Sequence, residues 1–182
     1  MRSQLFFFTL ALLATRQTLG GEELEINARN WRAHPKVVAI RDIYAENEKL
    51  RRENKLKAER KEFDCAGQGE VTERTALRDE TGLIREYLMG MGTEDSAYTA
   101  EHHYDSQGRL RFLFVKAGAV NESVLEIRQY FDERGRVLWQ DRKLVSGPGY
   151  TFIQSWPRDL IAHDAEKAFR ATPPKGCTQH RK

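Results

Sequence analysis

Asp79-Glu80-Thr81-Gly82, Asp105-Ser106-Gln107-Gly108 and Asp132-Glu133-Arg134-Gly135 repeat one phrase, Asp-x-x-Gly, with starts 26 and 27 residues apart. An Asp at the head of a type I turn accepts backbone N–H groups. A Gly three residues later supplies the positive φ that sends the chain back as a second strand. The flanking residues alternate as strands do: Tyr98, Ala100, His102 and Tyr104, then Leu110, Phe112 and Phe114, then Leu125, Ile127, Gln129 and Phe131, then Val137 and Trp139. Asp79, Gly82, Asp105, Gly108, Asp132 and Gly135 are therefore read as structural turn residues. Three hairpins predict an antiparallel meander of about six strands over residues 70–146.

Working outward, the stretch before the sheet has no Gly or Pro from Val37 to Phe63, and residues 41–62 hold 14 charged side chains. Val37, Ile40, Ile43, Tyr44 and Leu50 recur at spacings of three and four, and Glu48/Arg52 and Glu53/Lys57 are in i,i+4 order. This pattern predicts one long charged helix over 37–64, packed by its first half on the sheet. A weak heptad register on the same residues also allows a homodimeric scaffold held by this helix. Cys65-Ala66-Gly67-Gln68-Gly69 ends the helix. After Gly147-Pro148-Gly149, Ser155 as cap and Pro157 in the first turn predict a helix over 155–170, stopped by Pro173-Pro174. Residues 21–36 read as an extended leader and 171–182 as a tail. The fold class is α+β, with the order helix, antiparallel sheet, helix.

Tyr104-Asp105-Ser106-Gln107-Gly108-Arg109-Leu110 and Phe131-Asp132-Glu133-Arg134-Gly135-Arg136-Val137 are the fuller copies of the turn. These two stretches resemble the YD hairpin repeats of Rhs-type bacterial surface proteins. The first copy lacks both the aromatic before Asp and the Arg after Gly. The resemblance implies hairpin architecture and a bacterial setting, and it carries over no catalytic residue. Rhs-type proteins build large shells from many copies, whereas three copies make one small sheet.

Met1 and Arg2 precede the apolar run Leu5–Ala14, and Thr18-Leu19-Gly20 presents small residues to a signal peptidase. Residues 1–20 therefore read as a signal peptide, too short to span a bilayer, and the mature protein is expected to be secreted or periplasmic. Cys65 and Cys177 are the only two cysteines. In an oxidising compartment they are expected to form a disulfide.

The 182-residue chain holds 30 Lys+Arg and 27 Asp+Glu, is 40% hydrophobic and suits one domain. Loss of residues 1–20 removes two arginines and no acid, leaving a charge near zero. That balance argues against a nucleic-acid partner, which needs a surplus of Lys and Arg on one surface. No nucleophile elbow, zinc-protease pair, phosphate loop or dinucleotide fingerprint is present, and no cofactor is implied. Glu101-His102-His103-Tyr104-Asp105 is the densest polar cluster. On a strand, His102 and His103 point to opposite faces, so they cannot chelate one metal ion. Arg111, Arg128, Tyr130 and Trp139 are the candidate binding residues, for a sugar or peptide. Asn121-Glu122-Ser123 fits a glycosylation sequon and reads as a loop. The functional expectation is an exported, non-enzymatic interaction module with an envelope or extracellular partner. The alternative is a small envelope hydrolase using His102 or His103 with Glu101 or Asp105.

Overall fold

A computed structural model describes residues 25–65, 71–152 and 160–179. The expected signal peptide lies outside these residues.

The first helix, α1 (Pro35–Arg52), opens with Pro at its first position and His34 as cap, whose ring Nδ1 accepts the Lys36 N–H at 3.3 Å. It does not run to residue 64. Asn54 takes the left-handed conformation with φ 55°, Asn54 N–H donates to Arg51 O at 3.1 Å, and Lys55 N–H donates to Leu50 O at 2.9 Å. That paired arrangement closes the helix end and turns the chain away. Residues expected in the second half of the helix instead form β1 (Lys57–Cys65). It is followed by β2 (Val71–Arg78), β3 (Ile84–Gly92), β4 (Ser96–Tyr104), β5 (Leu110–Ala119), β6 (Val124–Phe131) and β7 (Val137–Ser146).

The C-terminal helix α2 spans only Ala165–Arg170, where a helix over 155–170 was expected. Residues 160–164 are not α-helical, because Asp164 is the actual cap and accepts the Lys167 N–H at 2.9 Å. Residues 153–159, with Ser155 and Pro157, lie outside the described part. The expected tail contributes a further strand, β8 (Cys177–Gln179). Among the described residues the sheet is therefore eight-stranded rather than six-stranded, antiparallel, in the order β7-β6-β5-β4-β3-β2-β1-β8. Cys65 and Cys177 face each other across β1 and β8 and are disulfide-bonded.

The three Asp-x-x-Gly turns join β2 to β3, β4 to β5 and β6 to β7. Gly82, Gly108 and Gly135 have φ of 86°, 74° and 76°. In each turn one Asp oxygen accepts two backbone N–H groups: from Thr81 and Leu83, from Gln107 and Arg109, and from Arg134 and Arg136. Each hairpin also carries one extra residue three positions after its Gly. The register steps from Leu77↔Glu86 to Arg78↔Ile84, from His103↔Phe112 to Tyr104↔Leu110, and from Tyr130↔Trp139 to Phe131↔Val137. Arg85, Arg111 and Leu138 are the residues left over. Such a bulge increases local twist and re-aims its side chain. Arg85 and Arg111 thus turn back onto Asp79 (3.5 Å) and Asp105 (3.3 Å) of their own turns.

The sheet is covered on both faces. Residues 150–152 and 160–170 cover one, burying Phe152, Leu160, Ala162 and Phe169 against Tyr87, Tyr98, Tyr104, Leu113 and Ile127. On the other, α1 lies across β4, β5 and β6 and buries Val37 and Ile40 against Phe112 and Tyr130. Asn47, fully buried, anchors the helix by donating to Arg85 O and Tyr104 O, both at 3.0 Å. The helix thus packs on the chain's own sheet through Val37, Ile40 and Asn47, while Tyr44 of the same stripe is exposed. No helix among the described residues is long and apolar enough to cross a membrane.

Candidate functional site

Adjacent strand residues point to opposite faces, and His102 and His103 do so here. His102 lies under residues 160–170, fully buried, with Nδ1 3.0 Å from Tyr87 O and Nε2 2.8 Å from Leu160 O. Burial pushes its pKa down to about 4 against the pull of those two carbonyls. His103 lies under α1, with the Tyr44 ring 4.7 Å and the Phe112 ring 5.8 Å away. Both of its ring nitrogens lack a hydrogen-bond partner, and burial with the nearby Arg51 charge lowers its pKa to about 3. Asp105 is not part of this group. It sits in its turn, where burial raises its pKa but the Arg109 N–H and guanidinium more than offset this, holding the carboxyl below its usual range.

A residue that sequence reading did not single out, Glu86, faces His103 directly across β3 and β4. Its carboxylate is 2% exposed, with one oxygen 3.1 Å from Arg51 and the other without a partner. Burial raises its pKa to about 7, opposed by Arg51 and reinforced by Glu48 and Glu101. Burial raises the pKa of Glu101 as well. The cluster is therefore an enclosed acid and an enclosed neutral imidazole. No group of three or more His, Cys, Asp or Glu residues is arranged to hold a metal ion among the described residues.

The opposite signs of these shifts give a pH prediction. The folded pKa of Glu86 is raised, so its contribution to stability is complete below about 4.5 and is lost as pH rises through about 7. His103 is lowered, so its contribution is complete above about 6.5 and is lost as pH falls through about 3. Glu86→Gln is expected to stabilise the protein by about 2–3 kcal/mol near pH ~8 and to change little near pH ~4. Urea midpoints at the two pH values check it. A loss of stability at the alkaline value would mean that the Arg51 pair outweighs burial.

The opening that reaches the surface lies beside this cluster, between α1 and the sheet. It is a groove of about 210 Å³ lined by Arg41, Tyr44, Phe112, Phe114, Arg128 and Tyr130. Strand pairing builds its floor: Phe112 stands opposite Tyr130 and Phe114 opposite Arg128 on β5 and β6. The Arg128 guanidinium lies 4.9 Å from the Phe114 ring centre and pairs with Glu126, while Arg41 donates to Arg32 O at 3.2 Å. Tyr44 forms one wall, edge-on to Phe112 at 5.4 Å. Burial raises the Tyr130 pKa, so its phenol stays protonated at neutral pH.

The four candidate binding residues thus separate. Arg128 and Tyr130 meet in the groove. Trp139 flanks it, directly opposite Tyr130 and stacked on Trp31 at 5.9 Å. Arg111 is elsewhere, buried and bonded to Asp105 and Phe131 O. It borders a larger hollow of about 470 Å³ whose Arg111 and Arg136 are already committed to the turn aspartates Asp105 and Asp132. The groove residues Arg41, Tyr44, Phe112 and Phe114 were not anticipated as binding residues. A hairpin register centred on Asn121 would have paired Phe112 and Phe114 with Tyr130 and Arg128.

No known protein family, curated protein or solved structure matches the chain.

Proposed function

We propose that the protein is an exported, non-enzymatic binding module whose ligand site is the groove between α1 and the sheet. The observation that carries this reading is the lining itself: four aromatic rings between two guanidinium groups. Aromatic faces accept flat apolar surfaces, and arginine adds charge-assisted hydrogen bonds to an anion. The ligand this chemistry fits is an anion with a flat or apolar body, an acidic sugar chain being the leading case. The disulfide is consistent with an oxidising compartment, and the hairpin resemblance supports a bacterial envelope setting. The enclosure of His102 and His103, each fully buried, supports binding over acid–base catalysis, which requires reach to a substrate.

Titration with an oligouronate and with its neutral counterpart tests the reading, followed by the fluorescence of Trp31 and Trp139 beside the groove. The acidic form is expected to bind, with Arg128→Ala and Tyr44→Ala each weakening it by about tenfold or more. Equal response to both forms, or binding that survives both substitutions, would move the site elsewhere.

A further inference from the structure

Trp31 occupies a place that the sheet has built for a ring. Phe112, Tyr130 and Trp139 stand opposite one another on β5, β6 and β7 and form one aromatic row on the side of the sheet that α1 covers. Neighbouring strands lie about 4.8 Å apart, so the row carries the groove floor one ring beyond Tyr130. Among the described residues the groove's lining ends at Tyr130 and does not reach Trp139. Over Trp139 lies the Trp31 ring instead, 5.9 Å away and inclined by 19°, with Tyr130 at 5.8 Å as its second neighbour. The Arg32 guanidinium is 5.2 Å from the centre of the same ring. A stacked indole, a tilted phenol and a guanidinium are the partners that suit a flat ligand ring.

Two observations separate this ring from an ordinary core side chain. The Trp139 Nε1–H is shielded from solvent and has no acceptor among the described residues. Tryptophan is a donor only, so Trp31 leaves that N–H unanswered, whereas a hydroxyl or ether oxygen of a ligand ring in its place would accept from it. The segment that carries Trp31 is also lightly attached. Residues 28–33 are turns, closed locally by Asn27 N–H donating to Asn30 Oδ1 and Asn30 Nδ2 donating to Glu25 O, both at 2.9 Å. Its tie to α1 is Arg41 donating to Arg32 O at 3.2 Å. Arg41 also lines the groove, so an anion that draws on its guanidinium competes with the bond that holds the segment.

We propose, on the reading of the groove as a binding site, that Trp31 is an internal plug over a second aromatic subsite made by Trp139 and Tyr130, and that a further ring of an acidic sugar chain takes this subsite by displacing it. A short ligand needs only the open groove. A longer chain reaches Trp139, where its sugar face stacks and one of its oxygens accepts the orphaned indole N–H. The apparent affinity of the longer chain is lowered by the fraction of time the plug is in place; a segment displaced about a tenth of the time weakens binding by about tenfold. Chain length is thereby read by the plug and charge by the arginines.

Calorimetric titration of the oxidised chain with a uronic acid disaccharide, a tetrasaccharide and free indole tests the proposal. In the parent, saturation with the tetrasaccharide is expected to abolish the far-UV exciton signal of the stacked Trp31 and Trp139 rings, and the disaccharide to leave it. Trp31→Ala should bind the tetrasaccharide about tenfold more tightly and the disaccharide as the parent does. It should also take up free indole, which the parent does not, and adding Trp139→Ala should remove that uptake. Asn27→Ala with Asn30→Ala loosens the turn without touching a ring and should favour the tetrasaccharide in the same direction, with thermal midpoints confirming that the variants are folded. A Trp31→Ala variant that gains nothing for the tetrasaccharide, or a stacking signal that survives its saturation, overturns the plug and leaves the groove in place. Absence of binding of either saccharide to any form strikes the groove reading instead; the plug then holds if Trp31→Ala takes up indole and falls if it does not.

Discussion

Replacing both Cys65 and Cys177 by Ser is expected to lower the unfolding free energy by about 4–5 kcal/mol. The cross-link joins residues 112 apart, and the entropy it removes from the unfolded chain grows with the logarithm of loop size. Native contacts do little to replace it. β8 pairs with β1 through three residues, Phe63↔Gln179 to Cys65↔Cys177, and two of those positions on β8 are exposed. Denaturant unfolding of the parent with and without reductant, beside the double variant, measures the effect. A difference below about 1 kcal/mol would mean that the reduced unfolded chain is already compact.

The second large effect is expected at Gly147, just after β7. Gly147 has φ 85°, and a Cβ there would lie 2.4 Å from the Ser123 Cα and 2.6 Å from its N. Ser123 cannot give way easily: it is fully buried, its carbonyl accepts the Ala119 N–H, and its hydroxyl accepts the Gly149 N–H at 3.1 Å. Gly147→Ala therefore combines left-handed strain with a backbone collision and is expected to cost about 3 kcal/mol or more. Gly82 is the control, because its φ is 86° and nothing lies within 4 Å of its added Cβ. Gly82→Ala should cost about 1 kcal/mol from φ alone. Equal shifts of the two thermal midpoints would show that the chain around Ser123 relaxes.

The hairpins were legible because their turns are chemically explicit: an Asp that accepts and a Gly that bends. The extra residue three positions after each Gly was not legible, since it is Arg in the first two hairpins and Leu in the third. The helix was read too long for a related reason. Lys57, Ala58, Glu59, Arg60, Lys61 and Glu62 carry charge on both faces of the strand they form, so no period-two hydrophobic signal marks β1. The strand instead ladders with β2, with charged side chains paired across it, Arg60 with Glu73 at 2.8 Å and Arg78 with Glu59 at 3.5 Å, and buries Phe63 near its end. The decisive cue was a single residue, Asn54, whose short polar side chain tolerates the left-handed conformation. At the candidate site, the split of His102 from His103 followed from strand parity alone. The Glu86 partner of His103 did not, because a single Glu in an alternating stretch looks solvent-facing until α1 is laid over it.

His102 carries one further consequence. A neutral imidazole owns a single N–H, yet both of its nitrogens face backbone carbonyls, one in the sheet and one in the segment laid over it. With the proton on Nε2 the ring donates to Leu160 O, and with the proton on Nδ1 it donates to Tyr87 O instead. The covering layer is thus fastened by a tautomer, a choice made without any change in charge, shape or packing. Only the imidazolium donates to both carbonyls at once, yet burial outweighs that gain and holds the pKa down to about 4, so acid loosens the fold through His102 as it does through His103 on the far side of the same strand. Two neighbouring histidines thereby give the two faces of one sheet the same sensitivity to acid, reached at about 4 on one face and about 3 on the other.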